Sequence, residues 1–492
     1  MRVAEHRRLG LDPFYLPTSM DFRGRIYYRP QWVGPQTGDL GKSLLCFPNE
    51  EVMMEEAQYA SWYRALVMHM AGLYGGPGKL DKAPYPERWS WFQFAEGDRF
   101  RKRTDLDPEV DKPLTLAAHW DLMEKAETDR IPIQLDGTCN GLQHLSALFR
   151  DEEAAAHVNL TASTLEDTPA DIYGVVAEAV SRVLTYNANR EHLLHYAELP
   201  PEWQSRLEEA GLSVGRSLCK GPVMVLPYGG TLEAIRKVVR QSVLDQLNPG
   251  DSLATIWHLH EGDNYEAFRD RTLAEHPLFN SDCNQLAALI YQSIAPVIPR
   301  AMAAMKALQE IASWIGTRGL SWATGPASAR LWVVQAKSKS QRKQVTMRGF
   351  HFPDTVRRLT MMAHSNEVDP RAHRTGIVAN FIHSLDAAHL ARSVVRFKER
   401  GGGCVGAVHD CLMVRPSEAA LMGSCLRDAF VEQYEEDPLA QPVRLIETEG
   451  PEEGIVMEVD SWYRLAEMAG VTLPEKGSFD IQEVKQSAWF FS

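Results

Sequence analysis

Two short segments of the sequence carry an aspartate directly after a run of apolar residues. Residues 131–137 read IPIQLDG and contain Asp136, and residues 405–410 read VGAVHD and end in Asp410. A carboxylate beside buried apolar surface is costly to ionise unless a cation or hydrogen bonds compensate. Two such carboxylates brought together would repel each other unless divalent metal ions neutralised them. The pair suggests a two-Mg²⁺ phosphoryl-transfer site. The alternative is that each aspartate caps the end of its own strand.

A third segment combines two cations at helical spacing. Arg216 and Lys220 are four residues apart, so on a helix they project from one face. This arrangement suits the phosphates of a nucleotide, with arginine as a bidentate clamp and lysine as a point charge or proton donor. The alternative is a solvated basic edge. Pro222 is expected to distort a helix that continues to Tyr228, which leaves the register of that tyrosine open.

Basic residues are concentrated in one further run, although the whole chain is acidic. The 492 residues have a formal net charge of −13, which argues against a protein that coats nucleic acid non-specifically. A local basic cleft remains compatible with this charge, because counterion release depends on the contact surface. Residues 337–348 read KSKSQRKQVTMR, contain no acid and include Arg342, Lys343 and Arg348. By itself such a run is typical of a solvated loop.

The elements that must position these residues form a mixed α and β pattern. Apolar spacing predicts strands and loops over 11–47, helices over 52–71, 170–186, 201–218, 231–247, 284–312 and 418–434, and strands at 331–334, 344–347 and 404–408. We therefore expect a small β core with large helical insertions. No stretch reaches the roughly 18 apolar residues of a membrane helix. The N-terminus lacks a secretory pattern, and the seven scattered cysteines read as free thiols of a cytoplasmic protein.

Taken in order, these segments resemble the single-subunit, bacteriophage-type DNA-directed RNA polymerases, the family that includes the mitochondrial enzyme. The resemblance is collinear from about Phe14 to the last residue. Its motifs are a template-contacting segment at 20–27 (MDFRGRIY), motif A at 136–144 (DGTCNGLQH), motif B at 216–229 (RSLCKGPVMVLPYG), the stretch with the ribose-sensing histidine at 380–386 (NFIHSLD), motif C at 408–410 (VHD) and an aromatic foot at 489–492 (WFFS).

The resemblance implies an enzyme that joins ribonucleotides to the 3′ end of an RNA on a DNA template. Asp136, Asp410 and the carbonyl of Gly137 would hold two Mg²⁺ ions. Lys220 would bind phosphate and donate a proton to the leaving pyrophosphate, with Arg216 beside it. The catalytic residues would thus be Asp136, Lys220 and Asp410. The enzyme would work in the cytoplasm of a phage-infected cell, away from any membrane.

The resemblance also implies which residues touch the sugar and the nucleic acid. Tyr228 and His383 would distinguish the sugar of the nucleotide, since a site that hydrogen-bonds a hydroxyl rejects the analogue lacking it. Gly229 would also belong to the nucleotide site. Arg25 and Tyr27 would contact the template and RNA near the active site. The basic run, with Arg342, Lys343 and Arg348, lies where the family places its promoter-reading hairpin, at about 337–365.

The implied fold class is α+β and mainly helical, a right-hand polymerase with palm and fingers. The N-terminal part of the palm would cover residues 1–163, the fingers 164–383, and the C-terminal part of the palm with the foot 384–492. Only 13 residues precede Phe14, where the resemblance begins, so we expect the family's N-terminal domain and thumb to be absent from this chain. We therefore expect the large subunit of a split polymerase, with a separately encoded small subunit. The alternative is a minimal stand-alone polymerase.

Three positions depart from the family pattern. Cys411 follows the motif C aspartate where serine is usual, Gly221 stands where a basic residue is common, and Pro227 replaces a small residue. None of them removes a metal ligand. A DNA polymerase or primase-like enzyme with the same palm is the nearest rival, but Gly137, Cys411 and His383 favour ribonucleotides. A catalytically inactive binding subunit is a second rival, against which the retained Asp136, Lys220 and Asp410 argue.

Overall fold

The computed structural model describes residues 14–48, 56–76, 79–97, 110–185, 212–247, 280–325, 330–348, 356–447 and 454–491. Within them the strands are β1 (Thr18–Met20), β2 (Ile26–Tyr28), β3 (Ile133–Asp136), β4 (Gly319–Thr324), β5 (Leu331–Gln335), β6 (Ser338–Arg348), β7 (Val356–Val368), β8 (Gly406–Val408), β9 (Cys411–Val414), β10 (Val443–Glu447) and β11 (Gly454–Val459).

The helices of the described residues are longer and more numerous than the strands. In chain order they are α1 (Asp39–Ser43), α2 (Glu56–Tyr74), α3 (Tyr85–Gly97), α4 (Pro113–Glu124), α5 (Asn140–Leu148), α6 (Glu152–His157), α7 (Ile172–Thr185), α8 (Arg216–Val225), α9 (Leu232–Leu247), α10 (Asn280–Ile294), α11 (Pro299–Ile315), α12 (Pro370–Glu399), α13 (Ala419–Glu435) and α14 (Trp462–Ala469). Short 3₁₀ turns include Leu80–Lys82 and Leu226–Tyr228. The expected mixed class with a helical majority is confirmed.

A three-stranded antiparallel sheet of order β3-β9-β8 lies at the centre of the fold. The side chains of Ile133, Leu412 and Val414 on these strands are buried. β8 and β9 form a tight hairpin in which Val408 pairs with Cys411. His409 in its turn has φ +54°, the left-handed conformation that such a two-residue connection requires. The sheet therefore presents residues 409 and 410 at its end, beside the last residue of β3.

Helix α12 crosses this region as one continuous element of 30 residues. It begins at Pro370, and the Asp369 side chain accepts hydrogen bonds from the backbone N–H groups of Arg371 and Ala372, an N-cap arrangement. Its buried face includes Phe381 and Leu385. The four-stranded sheet β11-β10-β4-β5 packs on the helix, and the Trp322 indole N–H donates to the Ser384 hydroxyl over 3.0 Å. α12 is thus held rigidly where it carries the residues of segment 380–386.

Two of the sequence-based element predictions are wrong. The helix predicted over 284–312 is two helices, α10 and α11, because Pro299 lacks an N–H group and begins a new helix. By contrast, the strand predicted at 344–347 is confirmed, since it lies in β6, which pairs with β7 in an antiparallel hairpin; the alternative of a solvated loop for the basic run is wrong. In the predicted helix 201–218, residues 212–215 are not helical and Arg216 begins α8; residues 201–211 lie outside the described residues.

No individual helix among the described residues has the length and hydropathy needed to cross a membrane. Cys283–Ile294 and Pro299–Ile315 meet that criterion only as a pair, with a bend of 104° between them. All seven cysteines belong to the described residues, and they are free thiols.

Candidate active site

The structure brings Asp136 and Asp410 together through strand pairing. β3 runs antiparallel to β9, and Asp136 lies directly opposite Cys411. Directly opposed residues of an antiparallel pair have their Cβ atoms about 4.5–5.5 Å apart. Asp410 is the residue immediately before Cys411, so both carboxyl groups lie at the same end of the sheet. The 274 positions between them in the sequence are bridged by the pairing of two short strands.

The two carboxyl groups affect each other's protonation. Burial raises the pKa of Asp410 to about 7, with further contributions from repulsion by Asp386 and Asp136. Burial also raises the pKa of Asp136, although its side chain opens to solvent. The positive charge of Lys82 and a backbone hydrogen bond from Gly137 act in the opposite direction. These carboxylates lie near each other at a site with a deficit of compensating positive charge.

The pair is compatible with bound Mg²⁺. Among the described residues, no group of three or more His, Cys, Asp or Glu side chains is arranged to hold a metal ion. Mg²⁺ does not need such a group, because it usually keeps several waters and is bound through one or two protein carboxylates plus substrate phosphates. Hard carboxylate oxygens are the ligands it prefers. Asp136 and Asp410 therefore meet the requirement for a site completed by substrate.

Cations gather on one side of the aspartates. Lys220 on α8 is exposed, and together with Lys82 it lowers the pKa of the Asp136 carboxyl. Lys82 comes from the 3₁₀ turn Leu80–Lys82. Burial lowers the pKa of the Lys82 ammonium, and repulsion from Arg216 and Lys220 lowers it further, against the attraction of Asp81. Three basic side chains thus share one region with Asp136.

Arg216 is held on one side by the N-terminal end of α7. Its Nε donates to Oδ2 of Asp171 over 2.7 Å. Its guanidinium also lies 5.1 Å from the ring centroid of Tyr173, a cation–π distance. Gly174, one turn into the helix, leaves room for this carboxylate, because a Cβ there would come within 3.3 Å of Asp171 Oδ2. Arg216 is therefore oriented before any ligand is present.

Tyr228 reaches the same region because α8 continues through its internal proline. α8 extends to Val225 despite Pro222, and the 3₁₀ turn Leu226–Tyr228 follows at once. This turn approaches motif A closely, since a Cβ on Gly141 would come within 3.0 Å of Tyr228 Cζ. Gly229 then takes φ +76°, and a Cβ there would lie 3.1 Å from the Thr375 carbonyl. Small residues on both sides allow Tyr228 to fit between α5 and α12.

His383 on α12 completes the group around Tyr228. The two rings lie 4.5 Å apart between centroids. Arg23 Nη1 lies 2.7 Å from His383 Nδ1. Burial lowers the pKa of His383 to about 3, with help from the positive charges of Arg25 and Arg23. The imidazole is therefore neutral at physiological pH.

Arg25 and Tyr27 lie in the same site but make protein contacts. The Arg25 guanidinium binds Asp386 Oδ2, with Nε at 2.8 Å and Nη2 at 2.6 Å. Asn140 Nδ2 donates to the other oxygen of Asp386 over 2.8 Å. The Tyr27 ring packs edge-on to His409, with 4.7 Å between centroids. Their expected contact with template and RNA stays a prediction.

The basic hairpin extends away from this centre. Arg342 and Lys343 on β6 are exposed and lie opposite Met362 and Met361 of β7. Arg348 ends β6, and its side chain is outside the described set, as are residues 349–355. The structure therefore places two of the three basic residues on an exposed β-hairpin and does not bring them to the aspartates.

Comparisons with known proteins identify the family of the chain. The family model described as DNA-dependent RNA polymerase matches residues 60–461, which is most of the chain. The chain belongs to this family. Relatives include the DNA-directed RNA polymerase of Pseudomonas phage phiKMV, 30% identical over 99% of this chain and 53% of the relative. The mitochondrial DNA-directed RNA polymerase 1 of Nicotiana sylvestris is 28% identical over 98% and 43%, and the enzyme of Enterobacteria phage T3 is 25% identical over 97% and 53%. The chain spans about half the length of these relatives.

Two departures of this RNA polymerase family member have a structural explanation. Gly221 of α8 faces α9 so closely that a Cβ would lie 2.2 Å from Val238 Cγ1. A basic side chain at this position would require the two helices to move apart. Pro227 packs against Gly141, where a Cβ would come within 2.9 Å of the proline Cβ. Nothing in the structure explains why Cys411 replaces serine.

Sequence reasoning missed several residues of the site. They are Lys82 and Asp171 near Arg216, Asp21 and Arg23 near His383, and Asp386 and Asn140 around Arg25. The one local signal is the segment DFRGR, in which Asp21 lies close enough along the chain to bind Arg23 in the same turn. Each of the others is recognised only through a partner that is distant in sequence.

The C-terminal foot (489–492) packs against motif A (136–144). Phe490 and Phe491 are buried, and Phe491 forms an antiparallel bridge with Gly137. Gln143 Nε2 donates to the Phe490 carbonyl over 3.1 Å. The last residues of this family member therefore pack directly against the turn that follows Asp136.

Proposed function

We propose that this chain catalyses DNA-directed RNA synthesis, transferring nucleotides from ribonucleoside triphosphates to the 3′ end of an RNA. The observation that supports this most is the pairing of β3 with β9, which sets Asp136 opposite Cys411 and beside Asp410. Family membership supports the same reaction class. In this proposal the β3-β9-β8 sheet belongs to the palm (1–163 and 384–492), and α8 belongs to the fingers (164–383).

When bound, two Mg²⁺ ions would lower the pKa of the RNA 3′-hydroxyl and neutralise charge on the leaving group. Asp136, Asp410 and the Gly137 carbonyl would supply the protein ligands. The 3′-hydroxyl releases its proton to solvent, its oxygen forms a bond to the α-phosphorus, and the bond between that phosphorus and the oxygen of pyrophosphate breaks. Lys220 donates a proton to the pyrophosphate, while Arg216 orients the phosphates through its planar fork.

The sugar and the nucleic acid are assigned to the remaining residues of the site. Tyr228, Gly229 and His383 form the ribose end of the nucleotide site, which is supported by the ring contact between Tyr228 and His383. The exposed hairpin with Arg342 and Lys343 suits duplex DNA, where arginine and lysine contact phosphates and base edges. The template, the nascent RNA and ribonucleoside triphosphates are the proposed partners. The separately encoded small subunit and the location in an infected cell stay predictions.

Primer extension on a DNA template tests the proposal. With the four ribonucleotides and Mg²⁺, the full chain should extend an RNA primer. Asp410→Asn should slow extension at least about a hundredfold, because several kcal/mol of transition-state stabilisation are lost, and should leave DNA binding unchanged. Asp428→Asn is the matched control, since Asp428 pairs with Arg400 on the outer side of α12 and α13.

Two results would contradict the proposal. Extension by Asp410→Asn at the wild-type rate would exclude the two-aspartate mechanism. A preference of the wild-type chain for deoxynucleotides would favour the DNA polymerase alternative, in which the same palm carries different sugar selectivity.

A further inference from the structure

The imidazole of His383 is held on two sides by protein. Tyr228 covers one side of the ring at 4.5 Å between centroids. On the edge, Nδ1 lies 2.7 Å from Arg23 Nη1. The side chain is half-buried, and among the described residues Nε2 has no hydrogen-bond partner. Nε2 is therefore the ring atom available to a ligand.

The contact with Arg23 determines which nitrogen carries the proton. A guanidinium has only donors and keeps its charge at any relevant pH. Nδ1 must therefore accept, which requires a lone pair on Nδ1 and places the proton of the neutral ring on Nε2. The low pKa of His383 agrees with a neutral ring, because a second proton on Nδ1 would face the arginine directly.

Arg23 is itself fixed by Asp21. Arg23 Nε and Nη2 donate to Asp21 Oδ2 over 2.9 Å and 2.6 Å. The backbone N–H groups of Arg23 and Arg25 donate to Oδ1 over 2.9 Å and 3.1 Å. Gly24 takes φ +91°, and a Cβ there would be 3.2 Å from Ala387 Cβ on α12. The turn between β1 and β2 is therefore closed by one carboxylate and lies directly on the helix that carries His383.

We propose that Arg23 is a specificity-determining positioning residue, which locks His383 as the Nε2–H tautomer so that it donates a hydrogen bond to the ribose 2′-oxygen of the incoming nucleotide. This inference rests on the proposed ribonucleotide site. Arg23 acts through His383 and does not touch the substrate. Without it the ring can rotate or move its proton to Nδ1, and the donor for the 2′-oxygen is no longer present in every molecule. A deoxynucleotide does not use this donor and is unaffected.

The first test compares sugar selectivity in primer extension. The ratio of kcat/KM for ATP to that for dATP should fall roughly fivefold to tenfold in Arg23→Met, the size expected for one hydrogen bond. Incorporation of dATP should stay near the wild-type rate. Arg23→Gln keeps a donor for Nδ1 and should retain most of the selectivity. Arg29→Met, which removes an exposed cation six residues further on, should leave the ratio unchanged.

Coupling and spectroscopy complete the test. In a His383→Gln background, Arg23→Met should change the ratio no further. Nitrogen-15 NMR of histidine-labelled wild-type chain, with His383 assigned by difference from His383→Gln, should show a protonated Nε2 and an unprotonated Nδ1. The tautomer itself is read from the wild-type chain, and the variant serves only to assign the signal.

Other results would overturn the inference. A protonated Nδ1 in the wild-type spectrum would do so, as would an unchanged ratio in Arg23→Met. An equal loss of ATP and dATP incorporation would assign Arg23 a merely structural role. By contrast, a wild-type chain that incorporates no ribonucleotide would refute the proposed function instead, and the tautomer would remain measurable.

Discussion

At the scale of single residues, Arg216 shows how a cation of the candidate site is oriented by the protein alone. Asp171 binds only the Nε edge of the Arg216 guanidinium. Among the described residues, the two terminal amino groups of Arg216 make no hydrogen bond. These groups form the fork that suits two phosphate oxygens. An arginine held in this way loses less conformational entropy on binding than a free one.

We expect Asp171→Asn to raise KM for ribonucleotides about tenfold with a smaller change in kcat, because a charge-assisted hydrogen bond that orients Arg216 is weakened. Steady-state extension with varied ATP measures both constants. Asp167→Asn is the control, since Asp167 is exposed and, within the described part of the chain, accepts hydrogen bonds from Thr164 alone. An unchanged KM, or a fall in kcat alone, would show that Asp171 does not position the phosphate clamp.

At the scale of elements, the β6-β7 hairpin stands out because no third strand of the described residues pairs with it. A two-stranded hairpin is marginally stable alone. Its base is secured by a backbone hydrogen bond from Asp369 to the Lys337 carbonyl, at 2.8 Å, and by buried Val368. Its outer part is exposed and basic. This is the arrangement expected of an element that contacts an extended ligand such as a DNA duplex.

Replacing Arg342 and Lys343 together by glutamine should weaken duplex DNA binding and reduce the slope of log K against log salt by about two, since each lost phosphate contact removes roughly 0.9. Fluorescence anisotropy at several salt concentrations measures this slope. Lys125→Gln with Lys306→Gln removes two exposed helix cations as the control. Equal slopes for both double variants would argue against the hairpin as a DNA contact.

At the scale of the whole molecule, the site joins segments that are remote in the chain. β3, the β8-β9 hairpin, the β1-β2 turn and α12 meet around three acidic side chains, Asp136, Asp386 and Asp410. Arg25 and Asn140 compensate Asp386, whereas Asp136 and Asp410 repel each other. The metal-free fold therefore carries an electrostatic cost at its centre.

This cost predicts how stability responds to Mg²⁺ and pH. The pKa of Asp410 in the folded chain, about 7, exceeds its ordinary 3.8. The folded chain therefore holds the proton of Asp410 more tightly than the unfolded chain does. The stability that this proton gives is fully present below pH 4 and is lost as pH rises through 7. At pH 8, Mg²⁺ at ten times its Kd should raise Tm by about 1–2 °C.

Differential scanning calorimetry of wild type and variants checks this prediction. Asp410→Asn should have a higher Tm than wild type at pH 8 without metal, and Mg²⁺ should stabilise it less. Asp428→Asn should keep the full response to Mg²⁺. A wild-type Tm that is independent of Mg²⁺ would mean that the two aspartates do not form a metal site.

The sequence by itself determined the local elements and the residues able to do chemistry. Helices such as α2, α7, α9 and α13 follow from apolar residues at helical spacing, and the two aspartates stand out because each follows an apolar strand. Local patterns also misled. The single helix predicted over 284–312 ignored the missing N–H of Pro299. The strand predicted at 344–347 covers only part of the 11-residue strand β6, because the charged residues before it give no apolar alternation.

Only the tertiary structure decided which of these residues meet. Arg23 and His383, Arg25 and Asp386, and Asp136 and Asp410 are each separated by more than 270 positions, and their contacts depend on the path of the whole chain. Periodicity reports which face of an element is buried, but it does not report which other element covers that face. The orientation of a guanidinium and the tautomer of a histidine follow from such pairings, and so they are properties of the fold.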